Sequence, residues 1–94
     1  MSEKIYKYHI KPEAVQVIEM PIGAKILDVQ WCRNRPVLWA CIDPENPMAK
    51  YKFYCVGTGW DMPKHSSSIE YVGTYQVPRE GLVFHIFKEI GYVD

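Results

Sequence analysis

The residues best equipped for chemistry lie in one stretch, CVGTGWDMPKHSSS, which runs from Cys55 to Ser68. Its GTG segment, residues 57–59, could bring backbone N–H groups close to an anion, because glycine has no side chain to block the approach. Lys64 and His65 could add positive charge, and Trp60 offers a flat ring that could stack on an aromatic ligand. This combination would suit a phosphate or a nucleotide.

The same stretch also has a purely structural interpretation. Gly57 and Gly59 could form a turn or bulge where a strand ends, with Trp60 covering the edge of the core. The glycine spacing matches neither the phosphate loop nor the dinucleotide-binding fingerprint, so the pattern favours this interpretation. A connection of this length in a small domain is still a hint of function and the first place to look for a ligand. The candidate ligand-binding residues are therefore Gly57, Thr58, Gly59, Trp60, Lys64 and His65, with Arg79 as a second positive contact.

No spacing selects the remaining reactive side chains for a shared task. The chain has three cysteines without a CxxC pair and three histidines far apart in sequence, so we expect neither a metal site nor a cofactor. Cys41 and Cys55 lie inside strand-like segments, where a free thiol behaves as a small apolar group. His85 also lies in a strand, which is typical of a hydrogen-bonded structural histidine. No two acids are spaced as a general acid–base pair, so we expect no catalytic residues and no enzyme activity.

The segments that must position these residues are short and β-prone, and Pro, Gly, Asn and Asp separate them. In AKILDVQWC, alternation predicts that Leu27, Val29 and Trp31 face the core while the intervening polar residues face water. RNRP should join this run to VLWACI as a hairpin, and the apolar VLWACI run predicts a central strand covered on both faces. PREG should join the last two runs as a second hairpin.

These signals predict one domain over residues 1–94, with no convincing helical face. Turn signals recur about every ten residues, which predicts an all-β fold, either a small β-sandwich or a partly open barrel, of about seven short, mainly antiparallel strands.

Composition narrows the classes of partner. Eleven basic and eleven acidic residues give a formal net charge of zero, which gives no support for general nucleic-acid binding and favours self-association as a homo-oligomer. No apolar run approaches the roughly 20 residues that span a membrane, and the first residues carry no secretory signal. The odd number of cysteines suits reduced thiols in a cytosolic protein. Seven tyrosines and three tryptophans exceed the need of one small core. The surplus would suit an exposed recognition surface or an oligomer interface, and equally tyrosines at the rims of two sheets with their hydroxyls in water.

Several blocks of the chain carry a resemblance to a known family. VIEMPIGAKILDVQ, LWACIDPENP, YVGTYQ and LVFHIF together resemble a family of small, mostly phage-encoded domains of unknown function. The resemblance implies a bacteriophage or prophage origin and residence in the host cytoplasm, and it brings no catalytic residues with it.

From these observations we expect a non-enzymatic phage accessory protein that acts by holding a partner. It would antagonise host antiviral defence, either by sequestering a small nucleotide signal or by occupying a host defence protein. Two alternatives stay open at this point. One is a structural or protein-interaction module that uses a Tyr-rich face to bind a virion or host protein, and the other is a small hydrolase that uses His65 or His85.

Overall fold

The computed structural model describes residues 2–64 and 68–93. Seven strands form within these ranges: β1 (Lys4–His9), β2 (Val15–Pro21), β3 (Lys25–Cys32), β4 (Arg35–Ile42), β5 (Met48–Gly57), β6 (Ile69–Val77) and β7 (Leu82–Glu89). They make two sheets, with strand order β1-β4-β3 in one and β2-β5-β7-β6 in the other. All neighbouring strands are antiparallel. The predicted all-β fold is confirmed as a small sandwich that does not close into a barrel.

Strand β4 is the centre of the three-stranded sheet, as the apolar VLWACI run predicts. Its consecutive residues Val37 and Leu38 point to opposite faces and are at most 1% exposed, so the strand is covered on both sides. Further along β4, Ala40 and Ile42 continue the inward face and pack in the core with Met20.

Strand β3 follows the predicted alternation only in part. Val29 is buried and Trp31 packs against the core, as predicted. Leu27 is 46% exposed, so the prediction that it faces the core is wrong. The pairing with β4 shifts register between Ile26 and Asp28, and this bulge takes Leu27 out of the alternating pattern.

Both predicted hairpins are confirmed, and each turn holds non-glycine residues at positive φ. Arg33 (φ 51°) and Asn34 (φ 69°) form the two-residue turn between β3 and β4, as a type I′ turn requires. In the β6–β7 turn the Glu80 N–H donates to the Val77 carbonyl at 3.4 Å, and Arg79 has a φ of 73°. Pro78 followed by Arg79 at positive φ is the pattern of the two central residues of a type II turn.

The long connection between β5 and β6 has a topological reason. Both strands are antiparallel to β7, which lies between them, so β5 and β6 run in the same direction. The chain must therefore travel back along the whole of β7, roughly 26 Å for eight residues, before β6 can begin. A tight turn cannot do this, so the length of the connection is not by itself evidence of function.

The two sheets approach most closely where β3 faces β6. A methyl group added at Gly73 would lie 3.2 Å from Val29 Cβ and 3.4 Å from the Val29 backbone nitrogen. The absence of a side chain at Gly73 is therefore what allows the contact. Strands β1 and β2 lie at the other edges of their sheets, away from β3 and β6.

Candidate functional site

The start of the predicted loop is a tight turn that closes on itself. The Trp60 N–H donates to the Gly57 carbonyl at 3.0 Å, and the Thr58 N–H donates to the Val83 carbonyl at 3.1 Å. Gly59 takes a φ of 91°, which favours glycine. One of the backbone donors proposed for an anion, the Thr58 N–H, is thus already engaged within the protein.

Trp60 folds back over the end of β5. A Cβ atom at Gly57 would lie 2.6 Å from Trp60 Cε2, so the indole occupies the space that any larger residue at 57 would need. On its other side the indole meets Phe84 edge to face, with ring centroids 5.8 Å apart. Trp60 nevertheless remains 59% exposed, so it covers the edge of the core and also presents ring surface to a ligand.

The other predicted site residues are only partly brought together. Thr58 and Trp60 line a shallow cleft with Gly81 and Leu82, at the end of the sandwich that also carries the turn of Arg79. Lys64 is exposed and lines none of the clefts at this end. His65 lies outside the described residues.

A row of four aromatic rings runs across this end of the sandwich. Trp31 stacks on Tyr75 with centroids 6.1 Å apart and planes inclined by 25°. Tyr75 contacts Phe84 at 5.6 Å, and Phe84 contacts Trp60. We call these four residues the aromatic row.

The aromatic row borders a cleft of about 640 Å³, with a smaller recess of about 130 Å³ beside Trp60. We call this space the end cleft. Its apolar walls include Pro12, Pro36, Val77 and Leu82. Because the cleft lies between the two sheets, it is bounded by residues from widely separated parts of the chain.

Positive charge is concentrated around the end cleft. Lys11 and Arg35 line it directly, and the acids are Glu80 on the same lining and Glu13 on the lining of the recess. The remaining two arginines of the chain lie in the turns beside it, Arg33 next to Asn34 of the lining and Arg79 next to Glu80.

Comparison with known proteins places the chain in a family. The family model described as "Domain of unknown function (DUF7352)" matches residues 1–92. The chain belongs to this family. No curated protein and no solved structure matches it. The prediction of a family of unknown function is thereby confirmed in this general form.

Two ionisable groups of the DUF7352 domain are buried in this region, Tyr75 of the aromatic row and Cys55, which lines the recess beside Trp60. Burial raises the pKa of Tyr75 well above its ordinary value, and the neighbouring Cys55 raises it further. Burial also raises the pKa of Cys55, partly offset by its hydrogen bond with Tyr75. Both groups are therefore neutral at pH 7, and Cys55 lacks the thiolate that a nucleophile needs.

His85 belongs to a hydrogen-bonded chain on the outer face of the four-stranded sheet. Its Nε2 lies 2.8 Å from Thr58 Oγ1, and its Nδ1 lies 3.0 Å from Thr74 Oγ1. Thr74 Oγ1 is in turn 2.6 Å from the Tyr71 hydroxyl. Both ring nitrogens are occupied, as expected of a structural histidine, and the neighbouring Phe84 points to the opposite face, toward the end cleft.

Metal-binding clusters and membrane-spanning helices are both absent from the described residues. In residues 2–64 and 68–93, no three His, Cys, Asp or Glu side chains are grouped so that they could hold a metal ion. The same ranges contain no helix long and apolar enough to cross a membrane.

Sequence reasoning missed most of the end cleft. The aromatic surplus includes Trp31 and Tyr75, and the LVFHIF run includes Phe84. The surplus was the available signal, but nothing in the spacing shows that residues from β3, β6 and β7 meet. The exposed tyrosines that suggested a recognition face lie on separate elements: Tyr6 on β1, Tyr71 on β6 and Tyr92 beyond β7.

Proposed function

We propose that this DUF7352 domain is a non-catalytic binding module whose end cleft holds a small nucleotide. The observation that carries the proposal is the aromatic row beside a cleft lined by Arg35, with Arg33 and Arg79 in the adjoining turns. A nucleotide combines the two features that such a site recognises, a flat ring and a phosphate.

The ring would stack on the exposed end of the aromatic row. Trp60 is the most accessible member, and stacking of a base on an aromatic side chain contributes about 1–3 kcal/mol. The cleft volume of about 640 Å³ falls within the usual range for small-molecule sites, roughly 300–1,000 Å³. Mostly apolar walls with a few polar groups at the rim are also typical of such sites.

The phosphate would be held at the rim. Arg35 and Lys11 line the cleft, and an arginine guanidinium can bind a phosphate with two parallel hydrogen bonds. Arg79 would contribute from the neighbouring turn. In this proposal Arg79 keeps its predicted role as a positive contact, but it binds the phosphate at the end cleft. The backbone of the Gly57–Trp60 turn contributes less to phosphate binding than the sequence suggested.

Chemistry at this site has less support than binding. Tyr75 on the lining of the cleft and Cys55 on the lining of its recess are held neutral by burial, and His85 is engaged on the outer face of the sheet. A module that holds its ligand without converting it would suit sequestration. We therefore propose the role of a phage accessory protein in the host cytoplasm that withholds a nucleotide signal from host defence, and the family resemblance supports the phage origin.

Isothermal titration calorimetry with AMP, ATP and cyclic mononucleotides tests the binding proposal. Adenosine supplies the ring without the charge, and inorganic triphosphate supplies the charge without the ring, so both should bind more weakly than the nucleotides. Trp60→Ala should weaken nucleotide binding about 5- to 150-fold, the equivalent of one stacking contact.

Tyr71→Ala is the matched control. Tyr71 is 61% exposed, close to the 59% of Trp60, but it lies on the outer face of the four-stranded sheet, so its loss should leave binding unchanged. Absence of heat and of any thermal shift with every nucleotide at millimolar concentration would contradict the proposal. Equal losses from both variants would place the ligand elsewhere.

A further inference from the structure

Strand β2 leaves one side of its backbone without a partner in the described structure. It pairs with β5 and with no other strand. The Cys55 N–H donates to the Ala14 carbonyl at 2.9 Å, and this bond fixes which residues face β5. Because hydrogen-bonded residues alternate along an antiparallel pair, the backbone groups of Val15, Val17 and Glu19 point away from the sheet.

The side chains along this edge are apolar and accessible. Val15 is 46% exposed and Val17 is 50% exposed, and both lie on the outer face of the four-stranded sheet beside the buried Tyr54. Within β2 only Glu19 carries a charge. Natural edge strands are commonly protected by lysines, prolines or bulges, and Pro21 at the far end of β2 is the sole such feature here.

Three other strands also lie at sheet edges, and each carries a protective feature. Strand β1 pairs only with β4, so it is also an outer strand. It carries Lys4 and Lys7 within six residues, and lysines on an edge strand disfavour its pairing with another copy. Strands β3 and β6 each carry a bulge, between Ile26 and Asp28 and between Tyr71 and Gly73, and a bulge also protects an edge. Strand β2 is therefore the edge open to self-pairing.

We propose that β2 pairs antiparallel with β2 of a second copy of this chain, around a two-fold axis at Val17. In this register Val17 lies opposite Val17 of the second copy, and Val15 lies opposite its Glu19. The two acids are therefore kept apart. Roughly six backbone hydrogen bonds would form, because the free groups of three residues on each strand meet in pairs.

The occupant is a second copy because the edge is complementary to itself. The symmetric register buries the exposed valines of both copies and creates no contact between like charges. The chain also has a formal net charge of zero, so no long-range repulsion opposes association. A pairing between β1 of one copy and β2 of another would instead bring Lys7 near Glu19. The test below distinguishes this pairing, because a change in β1 would then abolish the dimer.

The pairing would unite two four-stranded sheets into one of eight strands. It closes by symmetry, so it gives dimers rather than fibres. A contact along a single seven-residue strand is at the small end of stable interfaces, so we expect a dissociation constant in the micromolar range or weaker. The proposal does not depend on ligand binding at the end cleft.

Sedimentation velocity of the full chain from about 10 μM to about 1 mM tests the proposal. The wild-type protein should shift from monomer to dimer over this range. Val17→Pro should weaken the dimer at least tenfold, since it removes an N–H that faces away from β5 and is used only in the pairing. Lys7→Pro is the matched control, because the hydrogen bond from the Ile10 N–H to the Pro36 carbonyl shows that Lys7 also faces away from its partner strand.

Val17→Lys provides a second variant in case the proline unfolds the strand. It keeps the backbone donor but places two cations face to face at the two-fold axis, so it should also give monomers. Circular dichroism and the thermal midpoint verify that each variant is folded. A wild-type chain that stays monomeric at the highest concentration overturns the proposal. A dimer that survives both Val17 changes, or that Lys7→Pro abolishes, also overturns it.

Discussion

The indole of Trp60 lies on the backbone of Gly57, at a distance that leaves no room for a side chain there. A Cβ atom at residue 57 would be 2.6 Å from Cε2 and 2.9 Å from Cδ2 of the indole. The two residues are joined again by the hydrogen bond from the Trp60 N–H to the Gly57 carbonyl. The glycine thus sets the position of the ring that ends the aromatic row.

Gly57→Ala should displace Trp60 and destabilise the domain by about 1–3 kcal/mol, the usual range for overpacking. Urea denaturation of the single variants and of the Gly57→Ala, Trp60→Ala double variant measures the coupling. With the indole removed, the alanine should cost much less. Gly59→Ala is the control, because its φ of 91° is unfavourable for alanine but its Cβ would meet no atom within 4 Å. An unchanged cost of Gly57→Ala in the Trp60→Ala background would rule out the steric explanation.

Arg79 occupies a backbone conformation that glycine adopts more easily. Its φ of 73° costs a non-glycine residue about 1–2 kcal/mol. Glycine would avoid this cost, but its greater backbone entropy in the unfolded state would offset part of the gain. Arg79→Gly should therefore raise the free energy of unfolding by up to about 1 kcal/mol, whereas Arg79→Ala should leave it nearly unchanged.

Both Arg79 variants should weaken nucleotide binding to a similar extent if the guanidinium contacts the phosphate. Calorimetric titration alongside urea denaturation separates the two effects. Full nucleotide affinity in Arg79→Ala would remove this arginine from the site while leaving the conformational prediction intact.

The sequence was sufficient to predict the strands but not to predict their arrangement in space. Period-two alternation located the strands, and turn residues located both hairpins, because these features depend on neighbouring residues. Leu27 was misplaced because a bulge depends on pairing with β4, which the local pattern does not contain.

The candidate site was predicted only at Trp60 and, in part, at Arg79. The aromatic row forms only because β3, β6 and β7 meet at one end of the sandwich. This meeting depends on the spatial order of the strands, which local sequence patterns do not contain. The same missing information made the β5–β6 connection look functional, although its length follows from the position of β7 between the two strands.

Lys88 stabilises the inside of the domain at the end opposite the cleft. It is 6% exposed, and its Nζ donates to the carbonyls of Glu89 at 2.9 Å and Gly91 at 3.3 Å. It also lies 3.3 Å from Glu70 Oε1 and 5.4 Å from the centre of the Tyr51 ring. Several partners thus share one buried charge.

Lys88→Met should destabilise the domain by roughly 2–4 kcal/mol, because the carbonyls and the Tyr51 ring lose a charged partner together. Glu70→Gln should cost less than about 1 kcal/mol, since the Glu70 side chain is 56% exposed and water screens its ion pair. Urea denaturation of both variants provides the comparison. A loss from Glu70→Gln equal to that from Lys88→Met would show that the ion pair, and not the carbonyl contacts, dominates.

The stability of the domain should fall in alkaline solution. Burial raises the pKa values of Cys55 and Tyr75 above their ordinary values of 9.0 and 10.0. The folded state therefore holds these protons more tightly than the unfolded state. Their contribution is fully present below pH 9 and is lost as the pH rises through the unfolded-state values toward the raised folded-state values.

Tyr75→Phe should lessen this alkaline loss, because phenylalanine has no proton to release. The measurement compares free energies of unfolding at about pH 7 and about pH 11 for the wild type and the variant. The difference between the two pH values should be smaller in Tyr75→Phe. An identical fall in both proteins would assign the alkaline sensitivity to other groups.

The position of β7 between β5 and β6 also constrains the order in which the chain can fold. The β3–β4 and β6–β7 pairs are local hairpins, whereas β1–β4, β2–β5 and β5–β7 join strands distant in sequence. The β6–β7 hairpin can form early, but it must then dock on β5 as a unit, with the connection after Thr58 acting as its tether. Domains dominated by such distant pairings typically fold in milliseconds to seconds, so assembly of the four-stranded sheet should limit the rate.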